Sequence, residues 1–312
     1  MLPNSPSLAR ILSIALMLGG LLAPATADEP SKKKEDRKKP TAQQQALVKD
    51  RYIRVVKKDG KPIALETSVI RFAPEPGSPL AQQGVTVDLI GAVHIGEGSY
   101  YQQLNQRFQQ YDAMLFELVA PEGTVIPKGG GDRKGGNPIS ALQGGMKDLL
   151  DLEFQLEKVD YTKANFVHAD MSPQEMKASM KKRGESVLQM FFRMMGHGFA
   201  QQAKGGGPSD VELLVALFAK DRARRMKRIM AAQIVDMEAL NAALAGPDGS
   251  NTLIGERNRK ALEVMSREVK AGKKKLAIFY GAGHLPDFER RMKADHKLKP
   301  VGVQWLTAWD LK

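Results

Sequence analysis

From Tyr52 the chain alternates apolar and polar positions, and that alternation sets its first elements. Tyr52 to Val56 and Ile63 to Phe72 read as strands, and Asp59-Gly60 between them is a strong two-residue hairpin signal. Ala73 to Pro79 is a loop, because prolines as closely spaced as Pro74, Pro76 and Pro79 cannot sit inside a sheet. Val85 to Val93 is more continuously apolar, the pattern of a strand covered on both faces, with Asp88 interrupting it. Ser99 with Gln102 fits a capping box and predicts a helix to about Tyr111. Asp112 to Val119 is the next strand. This order of strand, helix and strand has the spacing of a right-handed parallel crossover.

From about Pro138 to Ala245 the pattern turns helical. Ile139 to Leu156 reads as a helix and Asn165 to His168 as a short strand. Ser172-Pro173-Gln174-Glu175 combines an N-cap, a first-turn proline and a capping-box glutamate. The helix it opens runs to about Gln202, and its Met180, Met190, Met194 and Met195 suit an irregular core. Ser209 and Glu212 open another helix to about Leu244, with Arg222, Arg224, Arg225, Lys227 and Arg228 as a solvated face. The glycine-rich stretch Lys128 to Asn137 lacks the Gly-Lys-Ser/Thr ending of a phosphate-binding loop and reads as a surface loop. Gly246 to Ser250 is a turn, and Thr252 to Ala271 a helix stopped by Gly272. Leu276 to Tyr280 is a strand, Pro286 to Lys293 starts a helix, and Val301 to Leu306 is the last strand. The sum is an α/β fold: a mainly parallel central sheet with flanking helices, an N-terminal β-hairpin and a large helical insertion at about 138–245.

Composition bears chiefly on compartment. Arg10 precedes the apolar run Ile11 to Leu22, and Ala25-Thr26-Ala27 has the form of a signal-peptidase site, so residues 1–27 read as an export signal. The run is short and broken by Gly19, Gly20 and Pro24, which argues against a retained membrane anchor. The chain has no cysteine, which excludes disulfides, thiol catalysis and thiolate-bound metal. Its formal net charge is +12, part of it from Lys32 to Lys39 in a basic linker over 28–50. Such a run is a solvated linker, or draws the chain to an anionic membrane or cell-wall polymer. No nucleic-acid motif accompanies the charge, so no nucleic-acid partner is expected. The folded domain is then 51–312, in the periplasm or secreted.

Chemistry gathers at strand ends. One strand closes on Gly91-Ala92-Val93-His94, a second on Gly281-Ala282-Gly283-His284, and Glu117 ends a third. In open α/β sheets ligands bind beyond the carboxyl ends of strands, which is where these three residues fall. Two imidazoles and a carboxylate suit a divalent transition metal that activates water, and they equally suit metal-free acid–base work. Each has a plainer reading: a histidine hydrogen-bonded at a strand end, or Glu117 capping a turn or paired with Arg257. His168 and Asp170 can approach the same sheet edge, although a carboxylate just before a capped helix is commonly structural. Of Asp88 and Glu97, which flank His94, Glu97 on the loop side is the better general base. His197 and His296 have no partner visible in the sequence.

GAVHIGEGSYY, MLFELVAPEG, GERNRKALEVM and FYGAGHLPDFERRM, in that order, resemble the TraB/GumN/TIKI superfamily. The resemblance runs from about Val85 onward and is loose in the helical middle. It implies an EreA/ChaN-like sheet core, with His94, Glu117 and His284 as metal ligands or catalytic groups and Arg257-Asn258 as further site residues. The TIKI branch is described as proteases dependent on manganese or cobalt, and the donor set here also admits zinc. Arg257 would then hold a substrate carboxylate or an oxyanion, or pair with Glu117 or Glu256; Asn258 would orient a side chain or cap backbone. The expected function is an exported metal-dependent hydrolase acting on peptides. The alternatives are a non-catalytic module binding a peptide, a metal or haem, and a metal-independent esterase-type hydrolase with His94 or His284 as base.

Overall fold

The computed structural model describes residues 51–130, 149–186, 210–234 and 251–312. The expected export signal, the basic linker, His197, the turn at Gly246 to Ser250, and parts of the glycine-rich loop and of the helical insertion lie outside the described residues.

The described strands build one main sheet around a long second strand. β1 (Ile53–Lys58) turns into β2 (Lys61–Pro74) through Asp59 and Gly60, with φ of 50° and 75°, the positive pair that a two-residue hairpin turn demands. β1 pairs with the first half of β2 and β3 (Thr86–Ala92) with Val69 to Phe72, both antiparallel. A two-strand ladder, β4 (Ile95–Gly96) with β6 (Glu153–Phe154), stands apart. β3, β8 (Lys275–Gly281), β5 (Ala113–Phe116) and β7 (Phe166–His168) follow one another in space and run parallel. β9 (Leu298–Asp310) takes the remaining edge of β2, antiparallel, from Ala64 to Pro74.

Successive strand residues point to opposite faces, so the parallel strands feed two cores. Met114, Phe116, Ala277 and Phe279 pack beneath α1 (Gly98–Phe108). Leu115, Leu276, Ile278 and Tyr280 pack on the other side. The longer helices among the remaining described residues are α2 (Pro173–Lys182), α3 (Asp210–Phe218), α4 (Arg222–Ile234), α5 (Arg257–Lys270) and α6 (Leu285–His296). Met226 and Met230 of α4 join the first core; Leu262 and Met265 of α5 and Phe288 and Met292 of α6 join the second. The continuous apolar runs of β3, β5 and β8 thus have their cause in cover on both faces.

Several local expectations are corrected. The box at Ser99 does not form: α1 begins at Gly98 with Glu97 as N-cap and no side-chain cap bond. Glu97 instead accepts from Lys227 Nζ at 2.7 Å and from the Asp310 amide at 3.1 Å, which also removes it as a general base beside His94. Lys227 is therefore buried rather than part of a solvated face. The helix expected to reach Leu156 stops at Asp151, which has φ of 51°, because Glu153 and Phe154 pair with β4. The helix opened near Ser209 breaks at Ala219 to Asp221, where the Asp221 carboxylate accepts from Arg224 and Arg225. Thr252 to Glu256 is a π-helical turn, and the α-helix starts only at Arg257. The last strand is about twice the expected length because β2 offers it a full edge.

The capping box of α2 does form. Ser172 Oγ accepts from the Glu175 amide at 3.1 Å, and the Glu175 carboxylate accepts from the Ser172 amide at 2.7 Å. Ser172→Ala is expected to cost about 1 kcal/mol, read as a shift of the denaturant midpoint at unchanged slope.

Candidate active site at the carboxyl edge of the parallel strands

The parallel register puts three strand ends side by side: Ala92 pairs with Gly281, and Phe116 with Phe279. His94, Glu117 and the 3-10 turn Ala282–His284 leave the sheet at that one edge. A Cβ at Gly281 would lie 3.4 Å from Glu117 Oε2, 3.9 Å from His284 Cδ2 and 4.0 Å from His94 Nε2. The three expected side chains therefore converge on Gly281. Arg257 reaches them from the first turn of α5, immediately after the π-helical turn, a feature frequent at functional sites.

Arg257 is the hub. Its Nε donates to Asp170 Oδ1 at 2.9 Å, and its Nη2 to Asp170 Oδ2 at 2.6 Å and to Glu117 Oε1 at 2.7 Å. Nη1 faces the Leu253 carbonyl at 3.4 Å and His284 Nε2 at 3.5 Å. A guanidinium has five N–H groups, and five acceptors surround this one. Arg257 is 5 % exposed and Asp170 2 %, so the cluster is withdrawn from solvent. The pairing with Glu117 follows the plainer reading of both residues, with the difference that Arg257 is buried. Glu256 pairs with Arg259 instead.

Asn258 sets the state of His284. Its Nδ2 donates to the His284 carbonyl and to Asp287 Oδ2, both at 3.0 Å, so its Oδ1 must face His284 Nδ1, at 2.6 Å. That oxygen can only accept; Nδ1 therefore carries the proton, and Nε2 presents a lone pair toward Arg257 and Glu117. Burial, and then the neighbouring Arg257 charge, push the His284 pKa down from 6.5 to about 4, against the pull of Glu117 and Asp170. The imidazole is neutral at neutral pH. Tyr280 packs against it with ring centroids 5.1 Å apart and donates its hydroxyl to the Ala169 carbonyl.

Burial opposes ionisation of Glu117, but the Arg257 charge and the Gly281 N–H, 2.7 Å from Oε2, outweigh it and hold the carboxyl well below the usual carboxylate range. Both shifts make the fold acid-labile. With the folded pKa of His284 below 6.5, the unfolded chain takes the proton first, so stability rises with pH between about 4 and 6.5. The expected loss between pH 7 and pH 5 is about 2 kcal/mol, and Glu117 extends it below its unfolded pKa of 4.5. Denaturant unfolding at the two pH values measures it, and His284→Gln should flatten the slope.

The remaining candidates fall elsewhere. His168 Nε2 donates to the Leu118 carbonyl at 2.6 Å and packs on Phe116, which places it under the loop after β5. Asp88 is an ion pair inside the sheet, held by Arg71 at 2.8 and 2.9 Å and by Tyr111 at 2.7 Å. His296 ends α6, at the opposite end from His284. Asp170, expected with His168 near this sheet edge, is the one of the two that joins the cluster, through its paired bonds from Arg257.

His94 and Glu117 are the partly exposed members, where Arg257, Asp170 and His284 are buried. Imidazole and carboxylate are sound donors for a divalent metal, but this arrangement does not present them as one site. Among the described residues no three His, Asp or Glu side chains are grouped to hold a metal ion. Glu117 Oε1 and His284 Nε2 are 3.5 Å apart, and the Arg257 guanidinium, itself a cation, already engages Glu117 Oε1 at 2.7 Å and stands 3.5 Å from His284 Nε2. No protein-family model, curated protein or solved structure matches the chain.

Proposed function

We propose that this protein is an exported hydrolase of the TraB/GumN/TIKI type that attacks a carboxylic ester, with His94 as the group that meets water and substrate. The reading rests on the Arg257 clamp. It keeps Glu117 ionised among buried groups, on the same glycine that the partly exposed His94 faces. A carboxylate near an imidazole favours the imidazolium that forms when the imidazole takes a proton from water. In the reaction, water oxygen adds to the carbonyl while His94 takes the proton, and the proton is returned to the departing alkoxide. Arg257 has no N–H left for the substrate, so it and Asn258 act as positioning residues. With the Arg257 guanidinium committed to protein acceptors rather than to an oxyanion, an ester is favoured over a peptide, because an alkoxide leaves more readily than an amine. A divalent metal, manganese or cobalt first, would be held by His94, Glu117 and His284 only after Arg257 released Glu117.

The test offers the protein a panel of esters and a peptide library, with and without chelator, alongside elemental analysis after exposure to manganese, cobalt and zinc. Ester hydrolysis that survives chelator in metal-free protein supports the proposal. Peptide cleavage that chelator abolishes, with bound metal that His94→Ala and His284→Ala both lose, overturns it in favour of a metallopeptidase. Binding of peptide or haem without turnover overturns it in favour of a non-catalytic module.

A further inference from the structure

The pair α3 and α4 carries a surface that the strand-edge site does not use. Val211, Leu214, Val215 and Phe218 recur at i, i+3, i+4 and i+7 of α3 and so share one face. That face looks outward: the four residues are 69 %, 56 %, 57 % and 82 % exposed. Leu213 and Ala216, on the opposite face, are buried against the core. A surface helix normally turns its polar residues outward, so a stripe of this kind needs an apolar surrounding.

Cations stand directly beyond the stripe. Lys220, Arg222, Arg224 and Arg225 are exposed. Asp221 partners Arg224 and Arg225, whereas Lys220 and Arg222 make no ion pair among the described residues. Phe218, Lys220, Arg222 and Lys312 line part of a groove of about 930 Å³ at this end of α3, whose wall on the side of the fold carries Glu97, Asp151, Asp221 and Asp310, so the cations that count toward a partner are the exposed Lys220 and Arg222 at its rim. An apolar stripe ending in a phenylalanine, with lysine and arginine beside it, has the two chemistries of a bilayer surface, acyl chains and phosphates.

We propose that α3 and the first turn of α4 form a docking surface for an anionic lipid bilayer. The Val211, Leu214, Val215 and Phe218 face enters the boundary of headgroups and acyl chains, and Lys220 and Arg222 meet lipid phosphates. This proposal stands independently of the hydrolase reading.

The test is flotation of the full chain with phosphatidylcholine vesicles and with vesicles containing about a third phosphatidylglycerol, at low and physiological salt. Binding should favour the anionic vesicles and weaken with salt, and Phe218→Ser and Arg222→Glu should each lower it by about tenfold or more. Both positions are exposed, so neither change threatens the fold, and far-UV dichroism confirms that. Unchanged binding in both variants overturns the proposal and assigns any affinity to another segment, such as the basic run at Lys32. Equal binding to neutral vesicles also overturns it. So does a wild-type dimer in sedimentation that Phe218→Ser dissociates without any vesicle binding, since the face would then be an interface between copies.

Discussion

Arg257→Ala should lower the free energy of unfolding by about 3–5 kcal/mol, the usual consequence of stranding a buried charge by removing its partner. Two charges are stranded here. The Asp170 side chain is fully buried and that of Glu117 is 12 % exposed, and both lose their guanidinium partner. The Leu253 carbonyl and His284 Nε2 lose their donors as well. Arg257→Lys keeps the charge but not the fork, so it should recover only part of the loss, because a point donor cannot serve Asp170 and Glu117 together. A double-mutant cycle with Asp170→Asn should be strongly non-additive, as the two share one hydrogen-bonded network. Guanidinium melts at pH 7 measure all of these. A cost below about 1 kcal/mol for Arg257→Ala would mean that water reaches the carboxylates and that the clamp does not govern the site.

His94→Ala should leave the fold nearly untouched and remove the activity. The side chain is partly exposed, so a stability change within about 1 kcal/mol is expected. Loss of a general base lowers kcat by about 10²–10⁴-fold. Gly281→Ala is the companion variant. Its new methyl would meet Glu117, His284 and His94 at 3.4 to 4.0 Å, ordinary contacts that the fold tolerates, while filling the point on which the three converge. Ester turnover should therefore fall in Gly281→Ala although its melting curve stays close to wild type. If both variants hydrolyse the substrate as well as the parent, the chemistry lies elsewhere.

The strand ends were legible because they rest on local rules. An apolar run closing on Gly-x-x-His marks a chain leaving a sheet, and a parallel order then brings such exits to one edge. The proton on His284 was not legible, since it depends on which way Asn258 turns, and that is set by Asp287 and a backbone carbonyl. Asp170 was misleading for a related reason. Just before the capped helix α2 it looks like a helix-end carboxylate, whereas its partner is Arg257, 87 residues away. Glu97 erred in the opposite sense: it looked available beside His94, but Lys227 of α4 takes it. Local signals such as Asp59-Gly60 and the Ser172 box survived; the one distant partner seen at the box, Lys260, takes Glu175 Oε1 and leaves Oε2 to the Ser172 amide.

The pairing of β2 with β9 also orders events in time. Ala64 must find Asp310 and Pro74 must find Leu298, so a strand made early waits for the far end of the described chain before its second edge is closed. Trp309, fully buried, donates to the Ile95 carbonyl at 2.8 Å and reaches across the fold just as late. Ring closures of this span are entropically costly and make folding slow. A chain growing from the ribosome cannot close this edge of β2 until residues 298–310 have emerged. Pulse-labelling hydrogen exchange during refolding should find the β2 and β9 amides among the last to be protected.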